Sequence, residues 1–172
     1  MKRASFADKP CSIARSLDVL GDWWNPLILR ECLYGVTRFD EIQRWLGIGR
    51  NILTTRLSQL IDAGLLEKVP YSDTPRRYEY RLTDRGYDAA LVLVAMMQYG
   101  ERWHFPRGEV PIQLYDRRTH EPVKAMLVDA TSGEPINVRE LYAGPGPAFP
   151  PADSVRRDRF REYFQHHDQA AD

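Results

Sequence analysis

Arg50, Asn51, Thr54, Thr55 and Ser58 fall within one short stretch, and each carries a group able to hydrogen-bond outward. A guanidinium fork matches the O6 and N7 acceptors of guanine, and a carboxamide matches the N6 and N7 edge of adenine. A threonine matches a thymine methyl or a phosphate. At about 100° per residue, Asn51, Thr55 and Ser58 fall opposite Leu53, Leu57 and Leu60, so one helix carries a polar and an apolar face. Any solvated helix shows that separation, so the helix alone leaves the question open. Its surroundings narrow it. From residue 44 to 58 the charged side chains are Arg44, Arg50 and Arg56, with no acid among them. Arg76 and Arg77 follow in a polar turn, as a contact to phosphates or a narrow minor groove requires. Alone, that pair is an ordinary solubilising turn. Arg56 either joins the outward set or pairs with Asp62 or Glu41.

These side chains need elements to hold them. Ile13, Leu17 and Leu20 at helical spacing predict a helix over 12–20, and a second runs from about Pro26 to Tyr34. Thr37 is the expected N-cap of a third, with Asp40 as a capping-box variant and Phe39, Ile42, Trp45 and Leu46 inward. The fourth starts near Gly49 or Arg50, and Gly64 suits the left-handed residue that closes it. Strands over 65–71 and 77–82 flank the turn "SDTPR", and Thr83 caps a long helix reaching about Trp103. Four helices, a hairpin and a long helix make a mainly α fold with a β-hairpin wing (α+β), a winged helix-turn-helix. In that architecture the third helix crosses the phosphate backbone and the fourth enters the major groove.

The chain divides by pattern into a tail (1–10), the winged-helix domain (11–104), a small β-rich extension (105–143), a Pro/Gly linker (144–153) and an amphipathic terminal helix with a tail (154–172). The extension has strand candidates over 112–115, 124–128 and 136–141. The linker "AGPGPAFPPAD" is too proline-rich for a helix or a central strand.

"CSIARSLDVLGDWWNPLILRECLYGVTRF", "LTTRLSQLIDAGLLEKV" and "PRRYEYRLTDRGYDA" resemble, in that order, the HxlR-type winged-helix regulators. The resemblance runs from Cys11 to Trp103 through Gly21, Trp24, Leu29, Arg30, Glu31, Arg38, Phe39, Leu53, Arg56, Leu57, Leu60, Gly64, Tyr80, Leu82, Thr83 and Gly86. It implies a bacterial homodimer, built on the first and last helices, that reads a pseudo-palindromic operator in double-stranded DNA. Arg38 joins the DNA-binding candidates on this ground. Gly49 stands where the family usually has Ser, so the fourth helix has a weaker N-cap and an amide open to a phosphate.

Cys11 matches the N-terminal cysteine that senses oxidants in part of that family. It lies just ahead of a helix, where the dipole favours an anion; the other reading is a structural cysteine at a dimer seam. Cys32, within an apolar helix, reads as inert core. Trp23, Trp24, Met97, Tyr99 and Trp103 are candidates to wall an effector pocket, and aromatics at such spacing also serve simply as core. The extension resembles one found on longer family members, in some of which it forms a zinc ribbon. Its half-repeats "RTHEPV" and "TSGEPI" suggest two similar turns facing each other. They hold no cysteine, and His120 with Asp129 falls far short of a tetrahedral site, so a metal-free unit is expected.

Lys plus Arg equals Asp plus Glu, 24 each, so a basic footprint must be local. Two cysteines exclude a disulfide framework and favour a reducing compartment. No apolar run approaches the ~20 residues of a membrane span, and the start lacks a signal peptide's apolar core. A cytoplasmic protein is expected. No nucleophile–base pair, acid pair or phosphate-cradling loop is present, and neither an enzyme nor a cofactor is expected. The reading is a DNA-binding regulator, a repressor answering to a small-molecule effector or to thiol oxidation. Two alternatives stay open: a winged-helix protein-interaction module, and a small-molecule-binding protein without significant DNA binding.

Overall fold

The computed structural model describes residues 5–150 together with 153, 155, 157–160 and 162. Its elements are α1 (Ser12–Leu20), α2 (Trp24–Leu33), α3 (Phe39–Leu46), α4 (Arg50–Asp62), β1 (Leu66–Asp73), β2 (Arg76–Leu82), α5 (Asp84–His104) and a single 3-10 turn, Val138–Glu140. The order is that of a winged helix. Two compact units divide the chain, Met1–Val123 and Lys124–Asp172, so the boundary falls inside the 105–143 segment.

The core of the first unit joins Ile28 and Leu29 of α2, Ile42 of α3, and Leu53, Leu57 and Leu60 of α4 with Leu65, Leu66 and Tyr80 at the base of the wing. All three α4 leucines are essentially inaccessible, so the apolar stripe of α4 holds it against its neighbours and its other face is left to solvent. Gly64 takes the left-handed conformation (φ 72°) after α4, which lets the chain turn at once into β1.

Thr83 ties the wing to α5. Its hydroxyl donates to the Gly64 carbonyl at 2.6 Å and accepts from the Gly86 amide at 3.1 Å, while its own amide donates to the Leu65 carbonyl. Gly86 lies so close to the Leu65 carbonyl that a Cβ would stand 2.2 Å from that oxygen.

The wing is longer and tighter than the expected hairpin. β1 and β2 pair antiparallel from Leu66↔Leu82 to Asp73↔Arg76, and only Thr74 and Pro75, joined by a cis peptide bond, form the tip. One extra residue, Tyr71, interrupts the register between Pro70 and Ser72. A single bridge, Arg38↔Glu79, attaches the segment before α3 to β2, and the Tyr80 amide donates to the Thr37 carbonyl at 2.7 Å. That attachment corrects the expected cap. Thr37's hydroxyl donates to Glu79 at 3.2 Å, and α3 starts one residue later on Arg38, without a side-chain cap.

The tail is partly fixed: Asp18 of α1 accepts from the amide of Phe6 and the hydroxyl of Ser5. Beyond α5 the expected strands reduce to two isolated bridges, Tyr115↔Pro122 and Val128↔Pro135. Each closes a turn of the same kind. The amides of Asp116 and Asp129 donate to the carbonyls of Glu121 and Glu134, and left-handed residues, His120 and Gly133, stand at matching positions. No residue from 115 to 136 is buried, so no apolar face exists to extend these bridges into strands. Of the terminal helix expected over 154–172, residues 155, 157–160 and 162 are helical; the remainder lies outside the described residues.

Candidate nucleic-acid interface

α4 opens at Gly49, an extended N-cap residue (φ −64°, ψ 138°) that supplies no side-chain hydrogen bond, so the first amides of α4 lack a side-chain cap. Arg50, Asn51, Thr54, Thr55 and Ser58 are all exposed. The guanidinium of Arg50 lies 5.2 Å over the Phe39 ring, which restrains it without neutralising it. The hydroxyls of Thr54 and Thr55 donate to the carbonyls of Arg50 and Asn51, each at 2.9 Å. With that proton engaged, each exposed threonine has a methyl but no free donor to offer an outside partner, which fits a thymine methyl better than a phosphate.

Arg56 is held differently. Its Nη2 stands 2.7 Å from Asp22 Oδ2, and its Nη1 donates to Gln59 at 2.9 Å. Asp22 also accepts, through Oδ1, from the amide of Trp24 at the start of α2, at 3.0 Å. The partner is thus neither Asp62 nor Glu41, and Arg56 joins α4 to the start of α2 instead of standing with the outward set.

The wing supplies a second group of cations. Arg76 and Arg77 are exposed, but they begin β2 opposite Asp73 and Ser72 and do not occupy the tip. The Arg76 guanidinium and the Lys68 ammonium both approach the Tyr78 ring, at 5.5 and 4.1 Å. Lys68 escaped the sequence reading; its signal was register, since Lys68 faces Tyr80 across the strands and reaches Tyr78 diagonally. Arg38 is half-exposed, with its guanidinium 4.6 Å over the inserted Tyr71 and 4.0 Å from Glu41. The arrangement orders cations on aromatic faces, leaving their charge available to an anion.

The other candidates are dispersed. Cys11 is exposed just before α1, whereas Cys32 is buried. Burial, helped by the charge of Glu31, pushes the Cys32 thiol up to about 12 and leaves it inert. Trp23, Tyr99 and Trp103 are 86%, 63% and 64% exposed, while Trp24 packs against the core. Of the five proposed pocket residues, Met97 lines the cavity between α2 and α5, whose lining includes none of the other four, and Tyr99 and Trp103 of α5 are exposed. Among the described residues no group of three or more His, Cys, Asp or Glu is placed to hold a metal, and no helix is long and apolar enough to cross a membrane. The side chain of Asp129 is engaged by the amides of Thr131 and Ser132, each at 2.8 Å.

A recognition-type helix with a free polar face beside a cation-bearing wing is the arrangement of DNA-binding winged helices. The sequence profile of the HxlR-like helix-turn-helix family matches residues 19–107. The chain belongs to that family. The HTH-type transcriptional regulator Rv3095 of Mycobacterium tuberculosis is 42% identical over 139 residues, spanning 80% of this chain and 87% of the relative. Among solved structures, PA1607, titled a candidate transcription factor, is 37% identical with a TM-score of 0.74, covering 83% of this chain and all of that one. The reduced form of the redox regulator HypR is 26% identical with a TM-score of 0.50, covering 54% of this chain and 92% of that one. As a member of the HxlR-like family the chain is a DNA-binding transcription regulator, which is not an enzyme class.

Proposed function

We propose that the chain works as a homodimeric repressor that sets two copies of α4 into successive major grooves of a two-fold symmetric operator. Arg50 and Asn51 read base edges, Thr54 and Thr55 pack on thymine methyls, and Ser58 and Arg38 border the groove. Arg76 and Arg77, with Lys68, hold the flanking phosphates or minor groove. The observation that carries this reading is the exposed, uncompensated polar face of α4 beside the aromatic-ordered cations of the wing.

Dimerisation is supported by apolar surface that a single chain leaves open. α1 buries none of its residues, and Ile13 is 74% exposed. On α5, Tyr87, Leu91, Tyr99 and Trp103 are exposed apolar side chains, spread over roughly 24 Å of the helix at the α-helical rise. A self-complementary pairing of these helices would cover both.

Thiol control is a second reading, favoured by the exposure of Cys11 beside α1. Two such thiols in one dimer would join in a disulfide as an oxidant such as a peroxide takes up two electrons and two protons; alternatively, one thiolate attacks a small disulfide, forming a mixed disulfide and releasing the other half as a thiol.

Selection of bound duplexes from a random pool tests the main reading. A two-fold symmetric consensus, with half-sites about one helical turn apart, is the expected result. A chain that sediments as a single subunit and shows no preference among duplexes overturns it. Intact-mass measurement after mild oxidation tests Cys11: an unchanged mass at that residue ends the thiol reading.

A further inference from the structure

A cavity of about 340 Å³ opens between α2, α5 and the segment that follows α5, entirely within the first unit. Leu27, Leu33, Leu93, Met97, Phe105 and Ile112 supply most of its apolar wall. That size and character suit a small ligand, and the flexible methionine lets the wall adapt to shape.

Three lining residues carry polar groups: Arg30, Tyr34 and Glu101. Their charges are not equivalent. Arg30 donates through Nε to Glu31 Oε1 at 3.0 Å and through Nη2 to the same oxygen, and Glu31 is only 3% exposed. The positive charge of Arg30 is therefore balanced by a carboxylate with almost no access to water. Glu101 is half-buried, and no ion pair reaches it among the described residues. One uncompensated negative charge thus borders an apolar space, where a cation gains and a second anion loses.

We propose that this cavity binds a small hydrophobic amine or other lipophilic cation, its charge at Glu101 and its apolar body between Leu93, Met97 and Phe105. The ligand's role as the regulator's effector rests on the reading given above; its binding does not.

Calorimetric titration of the full chain with 4-phenylbutylamine, 4-phenylbutanol and 4-phenylbutyrate separates charge from shape. The amine should saturate at one per chain and bind at least about tenfold more tightly than the carboxylate, with the alcohol between. Glu101→Gln should bring the amine down to the alcohol's affinity and leave the alcohol unchanged. A Cβ placed on Gly100, another lining residue, meets no atom within 4 Å, so the backbone there accepts a side chain, and Gly100→Leu should fill space and remove binding without lowering the melting temperature. Leu93→Trp serves as a second filling variant.

The proposal falls if none of the three compounds saturates, or if the carboxylate matches the amine. It also falls if both filling variants still bind, or if Gly100→Leu splits a dimer, which would make the cavity part of a subunit seam. Amine binding that persists in a chain without DNA preference sinks the regulator reading and leaves the ligand site standing. DNA selection that succeeds without amine binding does the reverse.

Discussion

Two parts of this chain reverse direction through hairpins, and different forces hold them. The wing pairs seven positions from Leu66 to Asp73 with Leu82 to Arg76, and its base enters the core through Leu66 and Tyr80. The turns around 115–123 and 128–136 close on one bridge each and bury nothing. In their place of a core stands a carboxylate: Asp116 accepts from the amides of Arg118 and Thr119, as Asp129 does from Thr131 and Ser132. A hairpin with an apolar face can grow to a length that carries side chains outward. One without such a face stays as short as its local hydrogen bonds allow. This is why the wing can present Lys68, Arg76 and Arg77 on an ordered surface.

The contrast breaks most readily at the core beneath the wing and α4. Leu57 is 2% exposed and packs among the α2, α4 and wing residues, so Leu57→Ala should cost about 2–5 kcal/mol in chemical denaturation. DNA binding should be lost with it, since α4 and the wing share that core. Gly86→Ala comes next. The added methyl meets a backbone carbonyl, not a flexible side chain, so wing and α5 must separate, at about 1–3 kcal/mol. A melting temperature equal to that of the parent chain would contradict the close approach.

Arg56 and its neighbours sharpen the division between holding and reading. Arg56 and Asp22 have side chains only 25% and 18% exposed, so Arg56→Ala should lower stability by about 1.5–3 kcal/mol. Arg50→Ala should leave stability nearly unchanged and cost about 1–3 kcal/mol of DNA affinity at one base position. Arg77→Ala should weaken all sequences alike and reduce the salt slope by about one. Equal stability losses for Arg56 and Arg50 would show that the Asp22 contact has no holding role.

These divisions were unequally legible in the sequence. Periodicity placed Leu53, Leu57 and Leu60 inward, and local chemistry identified Gly64 as the helix terminator and Thr83 as a cap, because each depends on residues a few positions away. Arg56's partner lies 34 positions earlier, at Asp22, farther along the chain than either Asp62 or Glu41, the two acids the sequence suggested. The stacking of Arg38 on Tyr71 depends on a one-residue register shift that no residue type announces. The aromatics of α5 carried a helical period, but a period does not say whether a face meets its own chain or another surface. The cavity needed three separate segments to be brought together. In the extension, β-type residues were read as strands, yet strand length there is limited by the absence of a packing partner.

The smallest expected effect lies in those turns, and it depends on pH. Hydrogen bonds from Arg118 hold the Asp116 carboxyl below its ordinary value of 3.8, and amides of Ser132 and Thr131 do the same for Asp129. A carboxylate whose folded value is lowered favours the closed turn fully above its unfolded value. That contribution is lost only as pH falls through the lowered folded value. The turns should therefore stay closed from neutral pH down to about the ordinary carboxylate range, and loosen only in stronger acid. Amide chemical shifts of Thr131 and Ser132 followed through an acid titration would report this, with a midpoint below that of an unstructured aspartate. Asp129→Ala should remove the transition and speed exchange of those two amides at neutral pH, while the melting temperature of the winged helix stays where it was. A midpoint at the unstructured value would mean that the turn is held by its backbone bonds, such as Gly133 to Asp129, and that the side chain only decorates it.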